Sequence, residues 1–148
     1  MNLPKRLQGK AKHVLLLTGS HSIQKSGALN AFLEKLTEVD ISYTTKVIDS
    51  EPSPKIINKA VSACKDKNID MVSAAGGGSV LDAGKAIAAM MTLDEDITEY
   101  LEGVGTKAHP GTTLPFVAIP TTAGTGSEAT KNAVITSVGK KGFKKSLR

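Results

Sequence analysis

The sequence predicts an α/β fold, a parallel sheet with helices packed on its faces. Three observations predict it. Short apolar runs alternate with segments of helical spacing along most of the 148 residues. One of those runs, Met71-Val72-Ser73-Ala74-Ala75, breaks at Gly76-Gly77-Gly78 and resumes at once with helical periodicity. Small-residue loops at 18–22, 76–79 and 121–127 each follow a predicted strand. Right-handed parallel winding therefore gathers all three on one edge of the sheet, where ligands of such folds bind.

Size and composition fit that picture. The length suits one domain with an ordinary core, and 40% apolar with 22% charged residues excludes a disordered or fibrous chain. With no Trp, two Tyr and three Phe, small aliphatic side chains must fill the interior. The net charge of +5 is concentrated at the ends, in Lys5, Arg6, Lys10 and Lys12 and in Lys140, Lys141, Lys144, Lys145 and Arg148. No aromatics interleave with these bases, so they read as solvated termini and no nucleic-acid partner is expected. Cys64 is single, which excludes a disulfide framework and metal-type cysteine spacing. His13, His21 and His109 are scattered, and no metal site is expected within the chain. There is no apolar run of about 18 residues and no signal-peptide core. A soluble, cytoplasmic protein without membrane contact is expected.

The elements follow in order. Residues 1–13 are polar and basic, a surface lead-in. Val14-Leu15-Leu16-Leu17 is a continuous apolar run, the pattern of a strand buried on both faces. After the loop Thr18-Gly19-Ser20-His21-Ser22, Ile23, Leu29, Phe32, Leu33 and Leu36 space a helix to about Thr37. Residues 41–48 form a second strand, with Ile41, Tyr43, Thr45 and Val47 in period two. Pro52 and Pro54 open a helix to about Lys67, its inner face Ile56, Ile57, Ala60, Val61 and Cys64. The third strand covers 70–75, and the helix after the glycines presents Val80, Gly84, Ile87, Ala88 and Met91 on one face. A polar connection over 94–111 carries one short helix near 97–101. The fourth strand is 114–119. Residues 132–137 form another strand, and a turn at Gly139 makes a β-hairpin near the C-terminus.

The glycine run carries the chemistry. Bare backbone lets a ligand approach closely, and the free N–H groups of the first helical turn attract an anion such as phosphate. Ser79 is placed to cap the helix or to donate its hydroxyl to the same anion. A turn that binds nothing would need only one glycine. Gly124-Thr125-Gly126-Ser127-Glu128-Ala129 matches G-x-G-x-x-G/A, but its context does not. Pro120, Thr121 and Thr122 separate it from the strand, β-like sequence follows, and no acid lies about twenty residues on. Its hydroxyls read as donors to a ribose or phosphate, with a plain glycine-permitted loop as the alternative. Asp82 suits the positive helix end. With Lys85 it makes either a solvated pair or an acceptor for an amide of the ligand.

Gly76-Gly77-Gly78-Ser79-Val80-Leu81-Asp82-Ala83-Gly84-Lys85 together with Ile119-Pro120-Thr121-Thr122-Ala123-Gly124-Thr125-Gly126-Ser127-Glu128-Ala129-Thr130 closely resembles the iron-containing (group III) alcohol dehydrogenases. Thr18-Gly19 and Lys25-Ser26-Gly27 resemble the family's first βα loop. The resemblance implies a Rossmann-like, dehydroquinate-synthase-like nucleotide-binding domain over residues 1–148. It implies that Gly77, Gly78 and Ser79, with Val80 beside them, hold a dinucleotide pyrophosphate, and that Asp82 approaches the nicotinamide amide. Thr121, Thr122, Gly124 and Thr125 would contact the adenine and ribose side, Val134 would line the pocket, and Gly19 and Ser20 would close the first loop. Lys145, or its rival Lys144, corresponds to a lysine near the nicotinamide ribose. Members that prefer NAD often carry Asp at the position of Ser20, so NADP(H) is favoured over NAD(H).

The resemblance also sets limits. The family's Fe2+ or Zn2+ is held by an Asp and several His of a helical second domain, expected beyond residue 148, and an additional strand is expected before Val14. The chain is thus expected to be clipped at both ends and to supply only the cofactor half of a hydride transfer between a small alcohol or aldehyde and NAD(P). Alone it would be inactive, and its bare face would favour homo-oligomers. A non-enzymatic nucleotide-binding module or gene remnant is the alternative.

Overall fold

The computed structural model describes residues 3–20, 23, 27–139 and 142–147. Four strands, β1 (His13–Gly19), β2 (Ser42–Ile48), β3 (Met71–Gly76) and β4 (Phe116–Pro120), pair in parallel in the order β2-β1-β3-β4. A separate antiparallel pair, β5 (Ala133–Ser137) and β6 (Phe143–Leu147), forms the expected hairpin. The predicted α/β architecture, Rossmann-like sheet and C-terminal hairpin are thus present.

The two inner strands follow directly from sequence. β3 is buried at every residue and β1 from Val14 to Thr18, which is why both are continuous runs rather than alternations. β2 lies at the sheet edge, and its period of two survives as exposed Tyr43, Thr45 and Val47 against half-buried Thr44 and Lys46. In register, Gly19 pairs with Ile48, Thr18 with Ala75, and Gly76 with Pro120. The carboxyl ends of the strands are therefore flush.

Helices cover both faces. On one side α1 (Leu3–Leu7) and α2 (Ala28–Glu38) pack a small core of Leu7, Ala11, Val14, Leu36, Ile41 and Met71. The lead-in is thus not a surface strip: Pro4, Leu7 and Ala11 turn inward. Most of the lead into α2, including His21, Ser22, Lys25 and Ser26, lies outside the described residues. On the other side α3 (Pro54–Ser62) and α4 (Gly78–Met90) build the larger core with Leu15, Leu17, Val72 and Ala74. Ser53 caps α3 by accepting from the Ile56 amide at 3.4 Å, with Pro54 inside the first turn. α3 ends before Lys67. Residues Lys65–Lys67 form a 3-10 turn closed by left-handed Asn68 at φ 51°.

The 94–111 connection is less polar in space than in sequence. Its 3-10 turn, Ile97–Tyr100, buries Ile97, Tyr100 and the following Leu101 in the larger core. Asp96 caps this turn, accepting from the Thr98 amide at 2.8 Å and hydroxyl at 2.7 Å. Asn58 of α3 donates to its other oxygen at 2.6 Å and accepts from the Ile97 amide at 3.1 Å. Burial pushes the Asp96 carboxyl upward, but the bonds from Thr98 and Asn58 outweigh it and hold the group below the ordinary carboxylate range.

A carboxyl lowered in the folded state stabilises above its unfolded pKa, and that contribution is lost as pH falls through the folded value. Asp96→Ala is therefore expected to cost about 1 kcal/mol at neutral pH. Urea melts of both proteins should converge once the pH drops below the ordinary carboxylate range, and a pH-independent gap would contradict the capping account.

Candidate functional site

The site grows from the turn between β3 and α4. Gly77 is extended at φ −77°, ψ −175° and stands as the helix cap, and no side chain caps the helix. Ser79 is therefore not the N-cap; it lies inside the first turn. The Val80 and Leu81 amides donate to the Gly77 carbonyl at 3.0 and 3.1 Å, which leaves the amides of Gly78 and Ser79 at the open end of the helix as bare backbone, an anion-attracting geometry. Its bareness is needed locally. A Cβ on Gly77 would come within 3.2 Å of the Thr122 hydroxyl, and one on Gly78 within 3.5 Å of Thr125. Thr122 and Thr125 thus stand over the two glycines, and the Thr121 amide donates to the Gly76 carbonyl at 3.0 Å. The second loop lies across the start of α4.

Close packing fixes the turn. A Cβ on Gly76 would fall 2.6 Å from Val80, and one on Gly19 3.6 Å from the same side chain. Val80, 6% exposed, fills the space between the ends of β1 and β3. Farther along α4, a Cβ on Gly84 would meet Phe116 at 2.6 Å and Ala74 at 2.7 Å, so only glycine lets the helix lie this close to β3 and β4.

Asp82 and Lys85 are not a solvated pair. Their side chains are 15% and 9% exposed and sit 2.9 Å apart. The Ser127 hydroxyl donates to Asp82 Oδ1 at 2.6 Å. Lys85 Nζ donates to the carbonyl of Ser127 at 2.9 Å, to the Thr130 hydroxyl at 3.3 Å and to the carbonyl of Asn132. Helical spacing identified the pair, but nothing local reveals partners 42 to 47 residues away.

The other sequence-predicted residues are placed as follows. Ser20 follows the end of β1, beside the glycine edge. Gly124 is left-handed at φ 85° in the exposed second loop. Val134 is half-buried on β5, paired with Ser146. Lys145 places its ammonium beside Gly103, 3.2 Å from where a Cβ would stand, and no bond joins it to the glycine turn. Asp49 escaped the sequence reading. It follows Ile48, the partner of Gly19, and its exposed carboxylate accepts from the Ser50 hydroxyl at 3.2 Å. Its signal was position, as the first acid after the second strand.

Among the described residues no group of three or more His, Cys, Asp or Glu could hold a metal ion, and no helix is long and apolar enough to cross a membrane.

The sequence profile described as "Iron-containing alcohol dehydrogenase" matches residues 1–148. The chain belongs to the iron-containing alcohol dehydrogenase family. A Bacillus subtilis relative named "Probable NADH-dependent butanol dehydrogenase 1" is 40% identical over 137 residues, which take in 90% of this chain and 34% of that protein. Long-chain-alcohol dehydrogenase 1 of Geobacillus thermodenitrificans is 36% identical over 128 residues, 84% of this chain and 32% of its own length. The crystal structure of NADH-dependent butanol dehydrogenase A from Thermotoga maritima superposes with a TM-score of 0.86 at 28% identity, covering 99% of this chain and 36% of that one. The chain therefore spans about a third of the length of the relatives it matches. The described residues do not fit the iron for which the family is named.

Space around the glycines sets a contrast to test. Gly84→Ala must push Phe116 and Ala74 apart and is expected to cost about 1–3 kcal/mol. Gly78→Ala meets Thr125 at ordinary contact distance and should leave the urea midpoint nearly unchanged. Equal effects of the two substitutions would contradict the packing described.

Proposed function

We propose that residues 1–148 form the dinucleotide-binding domain of a metal-dependent alcohol dehydrogenase, with Gly77, Gly78 and Ser79 holding the cofactor pyrophosphate. One observation carries this reading: an uncapped helix N-terminus, stripped of side chains, with Thr122 and Thr125 standing over it. Backbone N–H groups and the helix dipole attract the diphosphate, and the Thr122 hydroxyl supplies a further donor beside Gly77, while Thr125 turns its methyl toward Gly78 and donates its hydroxyl to Glu128 at 3.5 Å. Asp82 Oδ2 accepts no hydrogen bond from the described residues and would serve as acceptor for the nicotinamide amide, while Thr121 and Gly124 would border the ribose side. Names of the relatives, which include NADH-dependent butanol dehydrogenases, support the same cofactor class.

In this reading hydride passes between an alcohol or aldehyde and the nicotinamide. Among the described residues no set of His, Cys, Asp or Glu would hold the divalent metal that polarises the substrate oxygen. When bound, that metal acts as a Lewis acid and template. In this reading the chain contributes cofactor binding and orientation.

Within the cofactor class we favour NADP(H). Gly19-Ser20 offers no carboxylate to repel a 2′-phosphate. A second reading, NAD(H), is favoured by Asp49, one residue beyond the partner of Gly19, and by the names of the relatives. Calorimetric titration with NADPH and NADH at fixed salt separates them. Saturable binding that Gly78→Val abolishes supports the site, and Ser20→Asp is expected to shift preference toward NADH by about tenfold. No binding of either nucleotide would overturn the cofactor reading. NADH binding as tight as NADPH would overturn the preference, and its loss in Asp49→Asn would then assign the ribose contact to Asp49.

A further inference from the structure

The loop over the glycine turn holds a shape it does not build for itself. Of residues 121–132 only Ser127 is buried, and only the short turn Ser127–Ala129 is regular. Gly124 and Gly126 sit at φ 85° and 67°, so the unfolded loop has much conformational freedom to lose. Some interaction must offset that loss if Thr122 and Thr125 are to stay over Gly77 and Gly78.

Lys85 is placed to supply it. Its ammonium, on a side chain 9% exposed, carries three donors and meets acceptors on three loop residues. These are the Ser127 carbonyl at 2.9 Å, the Thr130 hydroxyl at 3.3 Å and the Asn132 carbonyl. Asp82 Oδ1, 2.9 Å away, balances the charge and accepts the Ser127 hydroxyl at 2.6 Å. Removing an ammonium from water is costly unless it is fully paired and hydrogen-bonded, and here every donor has an acceptor. The bonds run from the middle of α4, which Gly84 seats rigidly on the sheet, to both ends of the 3-10 turn.

We propose that Lys85 is a positioning residue for the cofactor. It pins the 121–132 loop to α4 so that Thr122 and Thr125 cover the pyrophosphate position, and it engages Asp82 Oδ1 so that Oδ2 alone is left for the ligand. The proposal rests on the cofactor reading of this site. Lys85 touches no reacting atom; it acts through the loop and Asp82.

The test compares the full chain, Lys85→Met and Ser127→Ala by segment-resolved hydrogen exchange without ligand, and by titration with NADPH and with ADP. Met preserves the length of the stem and removes the donors. Exchange in peptides from 121–132 is expected to rise about tenfold or more in Lys85→Met, while β1 and β3 keep their protection. NADPH affinity should fall about tenfold or more. ADP affinity should fall with it, because ADP carries a diphosphate but no nicotinamide. Ser127→Ala, which loses only the Asp82 bond, should loosen the same peptides to a smaller extent. Should Lys85→Met not fold, Ser127→Ala decides by the same signs. Unchanged loop exchange, or a rise spread evenly over the chain, overturns the pin. A wild-type chain that binds neither NADPH nor ADP overturns the cofactor reading, and with it the purpose assigned to the pin, whatever the loop exchange shows.

Discussion

A buried ammonium ties this structure together. Lys85 follows Gly84, and the two neighbours face different tasks. Gly84 has no side chain, so α4 lies against Ala74 of β3 and Phe116 of β4. Lys85 reaches the other way, to the loop and to the approach of β5. One helical step thus joins the parallel sheet to the segment that follows it. Without the glycine the helix would stand off the sheet; without the lysine the loop would keep its tether to β3 through the Thr121 amide and its tether to α4 through the Ser127 hydroxyl. The cost of desolvating a charge explains why its ammonium meets main-chain carbonyls, the Thr130 hydroxyl and a carboxylate.

The division of labour is physical. Buried parallel strands with flush carboxyl ends give a rigid edge, and the chain places its exposed, glycine-rich segments along it. Regular elements satisfy their own backbone groups, so unsatisfied N–H groups collect where β3 hands over to α4. Small residues then decide what can come close. Gly77 and Gly78 leave space at the helix end, Val80 closes the gap beneath them, and the threonines of the second loop set its upper side.

Much of the fold was legible because the relevant signals are local. Val14 to Leu17 is an unbroken apolar run and Met71 to Ala75 is interrupted by the small buried Ser73 alone, the pattern of central parallel strands covered on both faces. Period two marked β2, and Gly139 marked the hairpin turn. The glycine turn was legible for the same reason, since bare backbone announces itself. What escaped depends on distant partners. Leu7 and Ala11 sit in a short basic segment whose pattern shows no face until α2 and β1 cover it. An acid and a base three residues apart read alike on a solvated helix and in a buried network, and only the fold brings Ser127, Thr130 and Asn132 to Lys85. Asp49 becomes notable only once β1 and β2 are seen to pair. Ser79 looked like a cap by residue type, yet the helix cap is Gly77, two residues earlier.

On the proposed reading, the first turn of α4, beneath Thr122 and Thr125, receives a dinucleotide. Backbone amide chemical shifts of the 15N-labelled chain, followed through an NADPH titration, test it most directly. The account predicts saturable shifts largest at Gly77, Gly78 and Ser79, with smaller ones at Thr122 and Thr125 and little change along α2. Saturable shifts centred on another part of the surface, such as the cleft between Leu33 and Tyr43, would contradict it, as would a chain whose amides do not respond at all.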